Sequence, residues 1–105
     1  MILQIQRETF EALIRQDKPV LVDFQAPWCV YCRRIAPALE QIAPKWADRL
    51  TVVQVDIDEE AQLADEQGIE VVPTLALYRG GERLGELIAP DSAEKIEAFL
   101  CEGGV

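Results

Sequence analysis

Cys29 and Cys32 are the residues of this 105-residue sequence whose type and spacing most directly offer chemistry. Two thiols separated by two residues at the start of a helix can close a small disulfide ring, and the helix N-terminus supports the thiolate on the exposed one. Cys29 is then the nucleophile. Cys32, one turn further in, attacks the mixed disulfide and releases the reduced substrate. Arg33 and Arg34 follow at once and bring positive charge close to the pair. Three other readings compete: half of a zinc site, a static structural disulfide, and two buried thiols with no function. Zinc usually takes four ligands, yet the sequence has no histidine and only one other thiol, the distant Cys101. A metal is therefore not expected. The pattern of a strand before the pair and a helix after it favours redox exchange over all three alternatives.

The elements that must position this pair can be read from residue patterning. Residues 2–6 suit a short strand, and Thr9 is placed to cap a helix carrying Phe10, Leu13 and Ile14 at core spacing. Residues 20–24 form a near-continuous β-favouring run, as in a strand buried on both faces, which Asp23 interrupts. After Cys29 the apolar positions Ile35, Leu39, Ile42 and Trp46 recur at helical intervals, with a kink expected near Pro37. Residues 50–57 read as a second buried strand, followed by an acidic helix over 59–67 that Gly68 ends. Residues 74–79 and 83–88 are then joined by Gly80-Gly81, a short turn signal for an antiparallel hairpin. Asp91 with Glu94 resembles a capping box that opens a last helix through Ile96, Phe99 and Leu100. The sum is an α/β fold with a five-stranded mixed sheet and four helices.

Composition narrows the rest. At this length one core is feasible and two are not, so residues 1–105 are read as a single domain. With 50% apolar and 28% charged residues, the chain has the balance of a soluble globular protein. No apolar stretch approaches the roughly 20 residues of a membrane span. A net charge of −9 opposes nucleic acid and anionic lipid as partners. The first six residues show no secretory signal, which makes the cytoplasm the expected compartment. Three cysteines are too few and too unevenly spaced for a disulfide-stapled miniature fold.

The run Val22-Asp23-Phe24-Gln25-Ala26-Pro27-Trp28-Cys29-Val30-Tyr31-Cys32 resembles the active-site stretch of the thioredoxin family. Ile35-Ala36-Pro37, Val55-Asp56-Ile57-Asp58, Val72-Pro73-Thr74-Leu75 and Gly80-Gly81-Glu82 resemble further segments of that family in the same order, so the likeness spans nearly the whole chain. It implies a thioredoxin fold and a protein-disulfide reductase with no bound cofactor, acting as a monomer on protein disulfides and recharged by a thioredoxin reductase. It also implies that Pro73 is a cis-proline beside the disulfide and that the Val72 backbone pairs with a substrate peptide. By the same resemblance Trp28 covers the site and offers a contact surface, the alternative being a plain core aromatic. Asp23 matches a buried acid that exchanges protons with Cys32, and a carboxylate inside an apolar strand is expected to have a raised pKa. Trp46 and Phe24 are read as plain core.

The sequence departs from the family in several places. Val30-Tyr31 stands where the family has glycine-proline, and the tyrosine is similar to the one before the second cysteine of glutaredoxins. Gln54 falls where a lysine lies near the buried acid, and Gln25 replaces an aromatic. Ile88 is read as taking the place of a glycine that lines the peptide groove. Cys101 has no counterpart and is read as an inert thiol. Disulfide oxidase or isomerase activity, glutathione-dependent chemistry, and a docking module without redox function remain as alternatives.

Overall fold

A computed structural model describes residues 2–105. The elements follow the order β1 (Leu3–Gln4), α1 (Arg7–Ile14), β2 (Val20–Gln25), α2 (Val30–Lys45), β3 (Thr51–Asp56), α3 (Ala61–Glu66), β4 (Thr74–Arg79), β5 (Glu82–Ile88) and α4 (Ala93–Glu102). The strands make one sheet in the order β1-β3-β2-β4-β5. β1, β3 and β2 run parallel, whereas β4 and β5 are antiparallel to their neighbours, which gives the mixed sheet the patterning predicted.

Strand alternation divides the core between the two faces of the sheet. Val20, Val22 and Phe24 of β2 pack with Phe10, Val55, Leu63 and Tyr78 on one face. Leu21 packs with Ile35, Leu39, Ile42, Leu77 and Leu100 on the other, under α2 and α4. Asp23, two residues after Leu21, shares its face of the strand and therefore points into the α2 side. Burying a Leu- or Phe-sized side chain contributes about 1.5–3 kcal/mol, so both faces of β2 are strongly held and Asp23 has little freedom to turn away.

Several expected boundaries move. Thr9 lies inside α1; the extended residue before the helix is Gln6, which makes no side-chain cap. The Ile5 amide is tied to the Gln54 carbonyl at 2.8 Å, so the chain leaves the sheet and turns helical directly after it. α3 starts at Ala61 because the Asp56 carboxylate accepts the Asp58 and Glu59 amides at 2.8 and 3.4 Å, bending residues 56–60 into a turn. In α4 the cap is Ser92, whose Oγ accepts the Lys95 amide at 3.2 Å, while Asp91 pairs with the Lys95 ammonium at 3.0 Å. The expected box at Asp91 and Glu94 is thus shifted by one residue, and Lys95 at its third position has no acceptor with which to close it. α2 continues as one element through Pro37 and Pro44. Gly80 and Gly81 have φ of 59° and 85°, the paired left-handed turn that matches hairpin twist. No helix is long and apolar enough to cross a membrane among the described residues.

Candidate active site

The register of the sheet brings four strand ends together. Gln25 at the end of β2 lies beside Asp56 at the end of β3, Phe24 pairs with Thr74 at the start of β4, and Thr74 pairs with Ile88 at the end of β5. The β2–α2 connection, which carries Cys29 and leads into Cys32 on the first turn of α2, emerges at this edge. Open α/β sheets bind ligands at the carboxyl ends of their parallel strands, and this is that end of the molecule.

Cys29 is the N-cap of α2. Its extended backbone (φ −85°, ψ 114°) lets Sγ accept the Cys32 amide at 3.1 Å, where a serine or aspartate oxygen would usually sit. The Cys29 thiol also donates to the Val72 carbonyl at 3.7 Å. Both cysteines are free, and their side chains are hydrogen-bonded to one another, close to disulfide distance. The spacing predicts Cys29 as the exposed member, but Cys29 and Cys32 are 5% and 6% exposed, so surface exposure alone does not tell them apart. What separates them is polarity. Cys29 receives a backbone N–H, whereas burial, with a smaller push from the bond to Cys29 and from the Asp23 charge, drives the Cys32 thiol up to about 12. The two thiols are therefore unequal partners.

Asp23 is 4% exposed, and its Oδ1 has no hydrogen-bond partner. Burial raises its carboxyl to about 7. A cleft of about 130 Å³ joins Asp23 to Cys32 and is lined also by Gln54, Arg33 and Glu40. Gln54 lies directly across the ladder from Asp23, so the cross-strand neighbour of the buried acid is a neutral amide rather than a cation.

Val72-Pro73 is a cis peptide bond next to the cysteines. Trp28 is 61% exposed, with its indole N–H donating to Asp58 Oδ2 at 2.9 Å. Trp46 is buried instead; its N–H reaches Glu97 at 3.1 Å, and Phe24 is likewise core. Val30, Tyr31, Val71 and Ile88 are exposed apolar side chains at this end of the sheet. Cys101 is exposed on α4.

One position needs correction. Ile88 sits in the ladder opposite Thr74, in ordinary strand conformation, so it is not the residue whose backbone favours glycine. That residue is Ala89, with φ 45°, whose amide donates to the Pro73 carbonyl at 2.9 Å. A left-handed conformation costs a non-glycine residue about 1–2 kcal/mol, so the Pro73 contact is held against local strain. The backbone of Ala89 and the pairing of Asp58 with Trp28 had no sequence signal. Alanine does not announce a positive φ, and Asp58 meets Trp28 from a different strand end.

The thioredoxin family pattern matches residues 1–102, the span that contains every residue just described. The chain belongs to the thioredoxin family. It is 43% identical over 93 residues to the thioredoxin of Alicyclobacillus acidocaldarius, covering 89% of each chain. It is 37% identical over 101 residues to thioredoxin-1 of Schizosaccharomyces pombe, covering 95% of this chain and 96% of the relative. Among solved structures, the Malassezia sympodialis thioredoxin superposes with a TM-score of 0.90 at 28% identity, covering all of this chain and 92% of that one. The fold is thus the thioredoxin fold, and the chain is a thioredoxin-type thiol–disulfide oxidoreductase, a protein-disulfide reductase with Cys29 and Cys32 as its redox pair.

Proposed function

We propose that residues 1–105 work as one domain that reduces protein disulfides, with Cys29 attacking, Cys32 resolving and Asp23 moving the proton. The observation that carries this division is the helix N-cap at Cys29, whose Sγ receives the Cys32 amide at 3.1 Å. In the first step the Cys29 thiolate attacks one sulfur of the substrate disulfide. A mixed disulfide forms and the other substrate sulfur leaves as a thiolate. In the second step Cys32 must lose its proton, which burial opposes. Asp23, poised near neutrality in the same cleft, accepts that proton through water. The Cys32 thiolate attacks Cys29 Sγ, and the second substrate sulfur leaves. Two electrons pass to the substrate, and the protein is left as the Cys29–Cys32 disulfide.

The substrate lies over the cysteines as an extended peptide. Val72, whose carbonyl touches the Cys29 thiol, supplies backbone pairing, and Pro73 shapes that strip. Trp28 and Ile88 offer apolar contact on either side, Trp28 being fixed by Asp58. The chemistry needs no bound cofactor, so electrons come from a second protein, a thioredoxin reductase. A reductase of this kind suits the cytoplasm, where protein thiols are kept reduced.

The test is catalysed reduction of insulin disulfides by dithiothreitol, followed by turbidity, and then with NADPH and a thioredoxin reductase as donor. The protein is expected to accelerate the first assay and to couple in the second. No acceleration over dithiothreitol alone would overturn the reading.

A further inference from the structure

Arg34 lies two residues beyond Cys32 on α2, with its guanidinium carbon 5.3 Å from the centre of the Tyr31 ring. A guanidinium held near an aromatic ring by cation–π attraction still has N–H donors to offer a planar anion. Both side chains line a cleft of about 340 Å³ that Ala89, Pro90 and Asp91 complete. The far wall is fixed by the Ala89 amide bond to the Pro73 carbonyl at 2.9 Å. The acid in that wall, Asp91, is already paired with Lys95 at 3.0 Å. No carboxylate lies within ion-pair distance of Arg34 among the described residues.

The sheet order gives this cleft its direction. Asp58 and Trp28 stand on the β3 side of the cysteines, and Ala89–Asp91 follow β5 on the opposite side. Arg33 faces the Asp23 cleft instead. One flank of the reacting pair therefore carries an aromatic with a carboxylate, and the other an aromatic with a cation that has no ion pair among the described residues. In a chain of net charge −9, that cation is a local reversal of field at the rim of the site.

The geometry points to a carboxylate subsite formed by Arg34 and Tyr31, which selects substrates bearing Asp or Glu beside the cysteine under attack. This rests on the reading of the chain as a reductase of peptide disulfides. Tyr31 lies between the two cysteines in sequence, and an extended peptide rises about 3.3 Å per residue, so a side chain one or two positions from the substrate cysteine reaches the cleft. The charge pair at the rim sets encounter rate and register more than total affinity.

The test uses short peptides that each carry one cysteine in a mixed disulfide with 2-thiopyridine. Glu, Gln or Lys is placed in turn at the two positions on either side of that cysteine, and thiopyridine release by the pre-reduced protein gives the second-order rate constant of a single turnover. The wild-type protein is expected to favour Glu over Gln by about five-fold at one of these positions, with Lys slowest and the preference falling as salt is added. Arg34→Gln brings the Glu-to-Gln ratio to about one, Arg34→Lys keeps part of it, and Arg33→Gln retains it. The ratio is internal to each protein, so a partly unfolded variant does not distort it. A wild-type protein with no preference at any position, or a preference that survives Arg34→Gln, overturns the subsite. Failure to release thiopyridine from the Gln peptides overturns the reductase reading, and the subsite falls with it.

Discussion

Replacing Asp23 by alanine is expected to stabilise the reduced protein by about 4 kcal/mol more at pH 8 than at pH 4. Burial holds the native carboxyl near 7, whereas an unfolded chain releases the same proton near 4. Between those values the native state binds the extra proton. Wild-type stability therefore falls as pH rises from about 4 through about 7, and it levels off once both states are ionised. Alanine has no proton to lose, so the variant lacks this decline. Any cost of the space left by the carboxylate is the same at every pH and shifts the variant curve without tilting it. Urea unfolding of both proteins at pH 4, 6 and 8 measures the difference. Parallel curves would mean that Asp23 titrates normally, and the proton-carrying role would lose its physical basis. The site thus keeps a carboxylate that works against the fold at neutral pH, with Oδ1 unpaired, beside the thiol that has to be deprotonated.

The second large effect separates the two cysteines. Cys32→Ser is expected to convert the catalyst into a trap: Cys29 still attacks, nothing resolves the mixed disulfide, and turnover falls by roughly 10³-fold or more. Intact-protein mass spectrometry should then show one substrate chain joined to Cys29, released by dithiothreitol. Cys29→Ser should lose as much turnover with no adduct on Cys32, because the Cys32 thiol is held protonated. An adduct on Cys32 in the Cys29→Ser protein, formed as fast as the one on Cys29, would reverse the roles assigned here.

Most of the architecture was legible because its causes are local. The β-favouring run at residues 20–24 and the helical recurrence from Ile35 to Trp46 dictated buried elements, and the structure has them. Gly80-Gly81 marked the hairpin, since glycine suits its two positive φ angles. The resemblance in turn brought the cis bond at Pro73. What escaped was settled by partners remote in sequence. Thr9 looked like a cap, but the Ile5 amide bond to Gln54 decided where α1 begins. Asp91 looked like a cap, but Lys95 took its carboxylate and left the cap to Ser92. Ile88 was assigned a glycine's place, which the backbone gives to Ala89. Within the site, the cysteine pair and the buried Asp23 were readable from spacing and patterning. The link from Trp28 to Asp58 and the approach of Arg34 to the Tyr31 ring required side-chain directions that spacing does not supply.

The most direct measurement is the equilibrium of the protein across glutathione redox buffers, read by Trp fluorescence and by alkylation of free thiols. A single reversible two-electron transition is expected, in which Cys29 and Cys32 lose their reactivity together while Cys101 stays reactive throughout. Its midpoint should lie towards the reducing, thioredoxin end of the dithiol range rather than the disulfide-isomerase end. A midpoint at the isomerase end would contradict the reductase direction. The absence of any reversible Cys29–Cys32 couple would contradict the exchange chemistry itself.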